Sequence, residues 1–576
     1  MKRKKHQESR RDFIKTSGWI TATVLAAPLS SFTQPGRSPL EREEKESAGQ
    51  SLQTPEWITR YAELKMQVTG KRARAVGIPV QPVRKKFGEE ASYFSIDLRG
   101  VETLFLSAAR GNQEGQWDYA VWGNARLITP DGKSVWLDET PFEYERTGHD
   151  SVPKMRVNTK GEPIHIAGKL YERGIFCFAD SIVAYPVNGK YERFEAEIGV
   201  EDLSSKKGAV FFSASNIDAT LVAKAFHREF PEQAGALYAA SMTMGKSMET
   251  LLLTPDTSTE RAIVKEILKK LKGDLSGYRL QLQKAEGETN LKNRLVAYLS
   301  LFEQSRGAYM KQRAEETKFS FAFLADVHLY ENNFRGSSDG FKRVLEQVKT
   351  RDVDFLLFGG DNVPIDHHKP GGEKAEALMR SFKAMVDENG QKAYYTAGNH
   401  DLIFTDGSLN PDSLRLYEKV FGPAYYSFTH KGVHFIVLNS NEQDGKGVFR
   451  IGEEQVEWLK EDLKATGTDV PIVLSMHVPM LSLYYPAIEG EYVMKDGMFS
   501  NYKEVWDLLR EYPVKLVLQG HQHIYEEIYS RNTRFVTGGA VCDNWWLGGG
   551  FGDTPGGYLM VYVDHDDGVT WEYVYF

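Results

Sequence analysis

Five short polar clusters constrain this chain more than any other feature, because each ends an apolar run within residues 317–576. Leu324-Ala325-Asp326-Val327-His328 follows the run from Phe319 to Phe323, and Phe358-Gly359-Gly360-Asp361-Asn362 follows Val353 to Leu357. Ala397-Gly398-Asn399-His400-Asp401 comes next. Ser475-Met476-His477 then follows Pro471 to Leu474, and Gln519-Gly520-His521-Gln522-His523 follows Leu516 to Leu518. Asp, Asn and His behind a Gly are poor core material and good metal ligands. Each cluster sits where a buried strand gives way to a loop, which is where open α/β sheets carry their ligand sites. Apolar spacing in Phe341 to Val348, Ala377 to Val386, Val456 to Leu463 and Val505 to Leu509 predicts helices between those strands. Tyr426 to Phe428 with His434 to Leu438 reads as a hairpin or sheet-switching pair, and Tyr558 to Val563 with Val569 to Tyr575 closes the chain as another.

The order DxH, GDN, GNHD, a lone His and GHxH resembles the calcineurin-like metallophosphoesterase family over about residues 317 to 576. That resemblance implies an α/β sandwich binding two metal ions, iron, manganese or zinc, and hydrolysing phosphate esters. Carried over residue by residue, it implies that Asp326, His328 and His523 hold the first metal and that Asn399, His477 and His521 hold the second. Asp361 would bridge the two, His400 would protonate the leaving oxygen, and Asp401 would orient His400. Two cations about 3.5 to 4 Å apart suit this chemistry, because a phosphate ester's own oxygens repel an incoming nucleophile. The implied reaction is attack by a hydroxide bridging the metals on a phosphodiester or phosphomonoester, with the diester favoured. Purple acid phosphatases end the first motif in Gly and place a metal-binding Tyr three residues after the bridging Asp. Here those positions are His328 and Pro364, so a Tyr-ligated ferric site is not expected. His367 and His368, on the loop after GDN, are candidates to touch substrate, whereas His430 and His434 read as structural. Asn544-Trp545-Trp546 reads either as an aromatic wall against an organic leaving group or as a packed corner.

Length and composition bound the rest. A chain of 576 residues has room for three to four domains. Its 71 Lys and Arg against 79 Asp and Glu leave no basic surface, so a nucleic-acid partner is not expected. Two cysteines, Cys177 and Cys542, cannot form a disulfide framework and read as unrelated buried thiols. Near the start, Ser9-Arg10-Arg11-Asp12-Phe13-Ile14-Lys15 precedes a short apolar segment from Gly18 to Leu29. Residues 1–35 thus resemble a twin-arginine signal peptide, which implies export by that route to a periplasmic or extracellular location. The segment is too short for a stable membrane span.

Between signal and enzyme, residues 36–89 read as a linker, with a short helix from Thr54-Pro55-Glu56 to about Met66 and a charged connector from Lys71 to Lys86. Many short strands between turn signals such as Asp131-Gly132 and Asn188-Gly189 make residues 90–216 a β-sandwich. Two of its pieces, Gly168 to Val200 and Trp117 to Leu127, resemble NPCBM-type carbohydrate-binding modules. The Trp-Asp segment comes first here, as in a circular permutation, and Phe178 stands where that family shows a His. The resemblance implies a glycan partner. Trp117, Tyr119 and Trp122 could stack on a sugar or fill the core. Residues 217–316 read as a helical connector with starts at Phe230-Pro231-Glu232, at a Thr257 to Glu260 capping box and at Leu291. The expected whole is multidomain: an N-terminal β-sandwich module, a helical connector and a C-terminal α/β sandwich metallophosphoesterase. The alternative is a carbohydrate-binding surface protein whose phosphoesterase domain is incidental.

Overall fold

The computed structural model of the chain describes residues 54–74, 82–110, 118–142, 144–146, 152–179, 181–204, 206, 208–216, 219–242, 251–252, 254, 256–484, 486, 497–546 and 554–576. The expected signal peptide, the linker up to residue 53 and Trp117 lie outside these residues.

Alternating apolar strands close into two antiparallel sheets. One runs Val83–Lys86, Ala209–Ser215, Thr103–Arg110, Ser181–Pro186, Tyr144–Arg146. The other runs Ser92–Asp97, Arg193–Val200, Tyr119–Ile128, Gly174–Phe178, Lys154–Met155. The sandwich therefore begins at Val83, inside the stretch read as a connector. Trp122 lies between the sheets, with ring centroids 5.7 Å from Phe94 on one and 5.1 Å from Phe212 on the other. Tyr119 packs edge-on against Phe178 at 5.0 Å, and both are buried. Of the two readings for these aromatics, core filling is the one the packing shows for Trp122 and Tyr119.

The helices α1 (Glu56–Arg74), α2 (Ala219–Glu229), α3 (Pro231–Met242), α4 (Ser258–Lys270), α5 (Ser276–Gly287) and α6 (Leu291–Glu316) share one core. This corrects the reading of 36–89 as a linker. The helix there is 19 residues long rather than ending near Met66, and Trp57, Ile58, Tyr61, Ala62, Leu64 and Val68 on it are buried. Trp57 meets Phe302 at 6.3 Å and Tyr61 meets Phe226 at 5.5 Å. The capping box is also corrected. Thr257 makes no side-chain cap, and the Glu260 carboxylate turns inward to accept from Tyr61 and Lys65 of α1. A buried carboxylate needs a paired cation, and that demand outweighs one N-terminal hydrogen bond.

The C-terminal domain stacks two sheets between helical layers. The first contains β1 (Thr317–Leu324), β2 (Phe355–Phe358), β3 (Ala393–Tyr395), β10 (Gly557–Asp564) and β11 (Val569–Tyr575), in the order β3-β2-β1-β10-β11. The second contains β4 (Tyr426–His430), β5 (Val433–Val437), β6 (Ile472–Ser475), β7 (Val514–Gln519), β8 (Tyr525–Ser530) and β9 (Thr533–Gly538), in the order β4-β5-β6-β7-β9-β8. Period-two alternation fixes which way each strand faces. Phe319, Phe321 and Phe323 of β1 fill the space between sheets with Phe355, Phe435 and Leu518. Ala322 and Leu324 face outward to α7 (Ser337–Lys349) and α8 (Glu373–Asn389). On the far side, α9 (Glu453–Thr466) and α10 (Tyr502–Leu509) cover the second sheet. Buried on both faces, β1, β2, β5, β6 and β7 read as the continuous apolar runs that the sequence displays.

Candidate metal centre

The loops leaving β1, β2, β3, β6 and β7 carry the five clusters to one place. Parallel pairing of β1 with β2, β2 with β3, β5 with β6 and β6 with β7 aligns their C-terminal ends. Two of the motif glycines are required by close approach, and Gly360, at φ +94°, by its turn as well. A Cβ on Gly398 would overlap the backbone and carboxylate of Asp361, and one on Gly360 would stand 2.5 Å from His477 Nδ1. Asp326, His328, Asp361, His521 and His523 all hold positive φ, between 44° and 72°. Non-glycine residues seldom adopt that conformation, and its concentration here marks a site over-determined by its surroundings.

The predicted ligands converge in two groups. His328 Nε2 lies 3.1 Å from His523 Nε2 and 3.6 Å from Asp361 Oδ2, and His523 Nε2 lies 3.5 Å from Asp326 Oδ1. On the other side, His477 Nε2 lies 3.1 Å from Asp361 Oδ2 and 3.0 Å from Asn399 Oδ1, and His521 Nδ1 lies 2.8 Å from the same Asn399 oxygen. Asp361 thus stands between the groups, as a bridging carboxylate must. Backbone N–H groups steady the carboxylates: His521 donates to both oxygens of Asp326, and His400 donates to Asp361.

The donor set fits two cations. His477 Nδ1 donates to the Gly359 carbonyl at 2.9 Å, which leaves Nε2 as a lone pair facing two oxygens. His328 and His523 likewise point nitrogens at each other between two carboxylates, an arrangement that repels unless a cation sits among them. The electrostatics agree. Burial pushes Asp326 well above the usual carboxylate range, pushes His328 well below the usual imidazole range and pushes His523 down to about 3. Burial works against charge on both Asp361 and His477, but the pair hold each other: His477 is raised to about 9, and its positive charge, with that of His400, keeps the Asp361 carboxyl well below normal, the place a cation would fill. Mixed nitrogen and oxygen donors suit iron, manganese or zinc and do not choose among them.

His400 and Asp401 diverge. Asp401 is buried, and it accepts from Asn362 Nδ2, Gly398 N and Val363 N, all at 2.9 Å, so it ties the GDN loop to the GNHD loop. Burial raises it to about 7. The expectation that it orients His400 is corrected: Asp366 stands there, its Oδ1 3.2 Å from His400 Nδ1. Burial would lower His400, but Asp361 and Asp366 together raise it to about 9. Asp366 carries no motif signal, since only the folding of its loop brings it to His400. On the same loop, His367 is exposed, and His368 lies 3.3 Å from Glu331.

The two tryptophans of Asn544-Trp545-Trp546 part, one beside the histidines of the centre and one packed in a corner. The Trp545 ring lies 4.1 Å from that of His328, 4.8 Å from His523 and 5.4 Å from His400, and so forms a wall. Trp546 packs against α7 at Gly340, and its Nε1 donates to the carbonyls of Val327 at 2.9 Å and His328 at 3.1 Å. Cys542 is the other missed neighbour, a buried thiol 3.8 Å from His523 Nδ1. Beside His400 a cleft opens, lined by Tyr330, Glu331, Phe334, Pro364, Asp366, His367, His368, Leu378 and Trp545.

Comparison with known proteins agrees with this geometry. The family model for calcineurin-like phosphoesterases matches residues 319–525, and that for the NPCBM/NEW2 domain matches residues 133–235. Purple acid phosphatase 21 of Arabidopsis thaliana is 29% identical over 199 residues, 33% of this chain and 42% of that protein. A serine/threonine-protein phosphatase of Bos taurus is 28% identical over 195 residues, 32% of this chain and 58% of that protein. The chain thus spans about half the length of these curated relatives. A dimetal phosphatase of Danio rerio aligns structurally with a TM-score of 0.34 and 15% identity, covering 45% of this chain and 97% of that one. No helix among the described residues is long and apolar enough to cross a membrane. Residues 319–525 are a calcineurin-like phosphoesterase domain, on a chain whose residues 133–235 are an NPCBM/NEW2 domain.

Proposed function

We propose that the chain hydrolyses phosphate esters at this centre and prefers diesters carrying an organic group to monoesters. The observation that carries the preference is the lining of the cleft beside His400. Among the described residues its lining contains Glu331 and Asp366 with aromatic and imidazole groups, and the guanidinium beside it, Arg335, is spent on the Tyr330 and Phe334 rings and on the Trp545 carbonyl. A monoester dianion arriving there would meet carboxylates beyond the metal positions. A diester carries one charge fewer and offers a second organic arm to Trp545 and Tyr330.

Two bound cations would supply Lewis acidity and lower the pKa of a water. The chain's own residues do the rest. Asp326, Asp361, Asn399 and the four imidazoles of His328, His477, His521 and His523 would hold the ions. His400, with Nδ1 turned to Asp366, presents Nε2 to the leaving oxygen and holds the proton it needs. Trp545 shields the centre from water on one side.

The reading extends to the rest of the chain. The arginine pair Arg10-Arg11 ahead of a short apolar segment supports export by the twin-arginine route, and the NPCBM/NEW2 match supports a glycan partner. The complete ligand set argues against an incidental phosphoesterase domain on a binding protein. The test compares a chromogenic phosphodiester with its phosphomonoester on metal-loaded protein lacking residues 1–35, with His400→Ala as control. Faster diester turnover that collapses in the variant is expected. Faster monoester turnover would overturn the diester preference, and no turnover of either would overturn the esterase reading itself.

A further inference from the structure

The helical unit and the catalytic domain meet around a cavity of about 500 Å³ that none of the metal-binding or cleft residues lines. Its walls come from α3, α4 and α6 on one side and from β8, β9 and β11 on the other. That volume falls in the range that holds small organic ligands, and domain junctions are where such sites concentrate.

The walls carry more available positive than negative charge. Lys270, at the end of α4, makes no ion pair among the described residues and lines the cavity. Burial, with Arg313 nearby, lowers its ammonium below the usual range. Arg313 and Arg351 share a single carboxylate, Glu572, at 3.8 and 3.7 Å, beyond hydrogen-bond contact. That carboxylate also accepts from Tyr562 at 2.7 Å. Arg306 extends the cationic side. Of the other acids, Glu527 accepts from Trp571 Nε1 at 3.1 Å, Glu266 pairs with Lys269 at 2.6 Å, and Glu232 sits exposed at the rim.

The same walls offer ring faces and leave space between them. Tyr309 lies between two cations, 5.9 Å from Lys270 and 5.1 Å from Arg313. Opposite stands Trp571, with the guanidinium of Arg534, a further cation of the wall, 5.6 Å from its ring and its indole nitrogen already bonded to Tyr525 at 3.0 Å. The face of α3 that closes the cavity is built from Gly235, Ala236, Ala239 and Ala240. A helix that served only to pack would fill such a space with larger apolar side chains.

We propose that this cavity binds a small organic anion, a planar ring bearing one carboxylate or phosphate-type head group. The ring lies against Tyr309 and Trp571, and the head group meets Lys270 and Arg306. The site is independent of the phosphoesterase reaction, so it stands or falls on binding alone.

The test titrates 8-anilinonaphthalene-1-sulfonate, an aromatic sulfonate, into the metal-loaded protein and follows its fluorescence. One saturable site per chain is expected, weakened at least about ten-fold in Lys270→Glu and abolished in Ala239→Trp. Lys270→Gln, checked by its thermal melt, covers the case in which Lys270→Glu fails to fold, and it is expected to weaken binding about five-fold. The uncharged N-phenyl-1-naphthylamine is expected to bind more weakly than the sulfonate. Displacement by benzoate identifies a carboxylate site, and displacement by phenylphosphonate identifies a phosphate-type site. Binding that is unchanged in the variants, equal for the neutral dye, displaced by neither anion or absent altogether overturns the proposal.

Discussion

His400 Nδ1 lies 3.2 Å from Asp366 Oδ1, while the adjacent Asp401 turns away to bind three loop groups. The carboxylate beside the candidate acid thus comes from the loop after β2 rather than from the next residue in the chain. Asp366→Asn is expected to lower kcat on the diester by roughly 10- to 100-fold with little change in KM, because the imidazole loses its orientation and not its place. Asp401→Asn is expected to act differently, lowering thermal stability by about 1–3 kcal/mol through the buried amide groups it leaves poorly matched. Steady-state kinetics and melting curves on both variants check this; equal kinetic effects in both would return the orienting role to Asp401.

How far the sequence carried this site follows from what kind of contact each part makes. The seven ligand positions converge because each follows a strand end, and strand ends are visible as apolar runs that stop at a polar cluster, behind a Gly in three of the five. Asp366 was not visible, because its partner depends on how the loop 362–368 folds back, which no periodicity encodes. The positive φ values at Asp326, His328 and Asp361 were equally hidden, since these residues reach that region only under tertiary constraint. The helix α1 was read as part of a linker for a similar reason: the partner of Tyr61 is Glu260, 199 residues further on. A stripe of Trp57, Ile58, Tyr61 and Val68 says that a helix is amphipathic, and says nothing of what covers it.

The two tryptophans after Cys542 separate function from stability. Trp545→Ala is expected to raise KM for an aromatic diester several-fold, a loss of roughly 1 kcal/mol of ring contact, with the melting temperature nearly unchanged. Trp546→Ala is expected to cost about 3 kcal/mol of stability, from the lost packing against α7 and two unfilled carbonyls under the centre. Denaturant unfolding and KM measured on both variants decide the assignment, which fails if the effects are reversed.

Removal of metal is expected to destabilise the catalytic domain rather than merely silence it. Without cations, Asp326 and Asp361 face four imidazoles in a buried cluster whose lone pairs point at one another. Exhaustive chelation is expected to lower the melting temperature by several degrees, with recovery when manganese or zinc is returned. Metal analysis is expected to give about two ions per wild-type chain, fewer than one in Asp361→Asn and about one in His523→Asn. Two ions retained in Asp361→Asn would remove that residue from the bridging position.

His227 of α2 makes the junction between the helical unit and the catalytic domain sensitive to acid. Its ring lies 4.3 Å from that of Tyr575 at the end of β11, its Nε2 has no hydrogen-bond partner among the described residues, and burial lowers it from 6.5 to about 4. The folded pKa is therefore below the unfolded one, so the unfolded chain binds the extra proton between those two values. The stabilising contribution is fully present above about pH 6.5 and is lost as pH falls toward 4, up to roughly 2 kcal/mol after allowing for the ring's partial exposure. His227→Phe keeps the ring contact and removes the titration, so its melting temperature at pH 5 is expected to exceed that of the wild type, with the two close at pH 8. Parallel curves for both proteins across that range would place the acid sensitivity elsewhere in the chain.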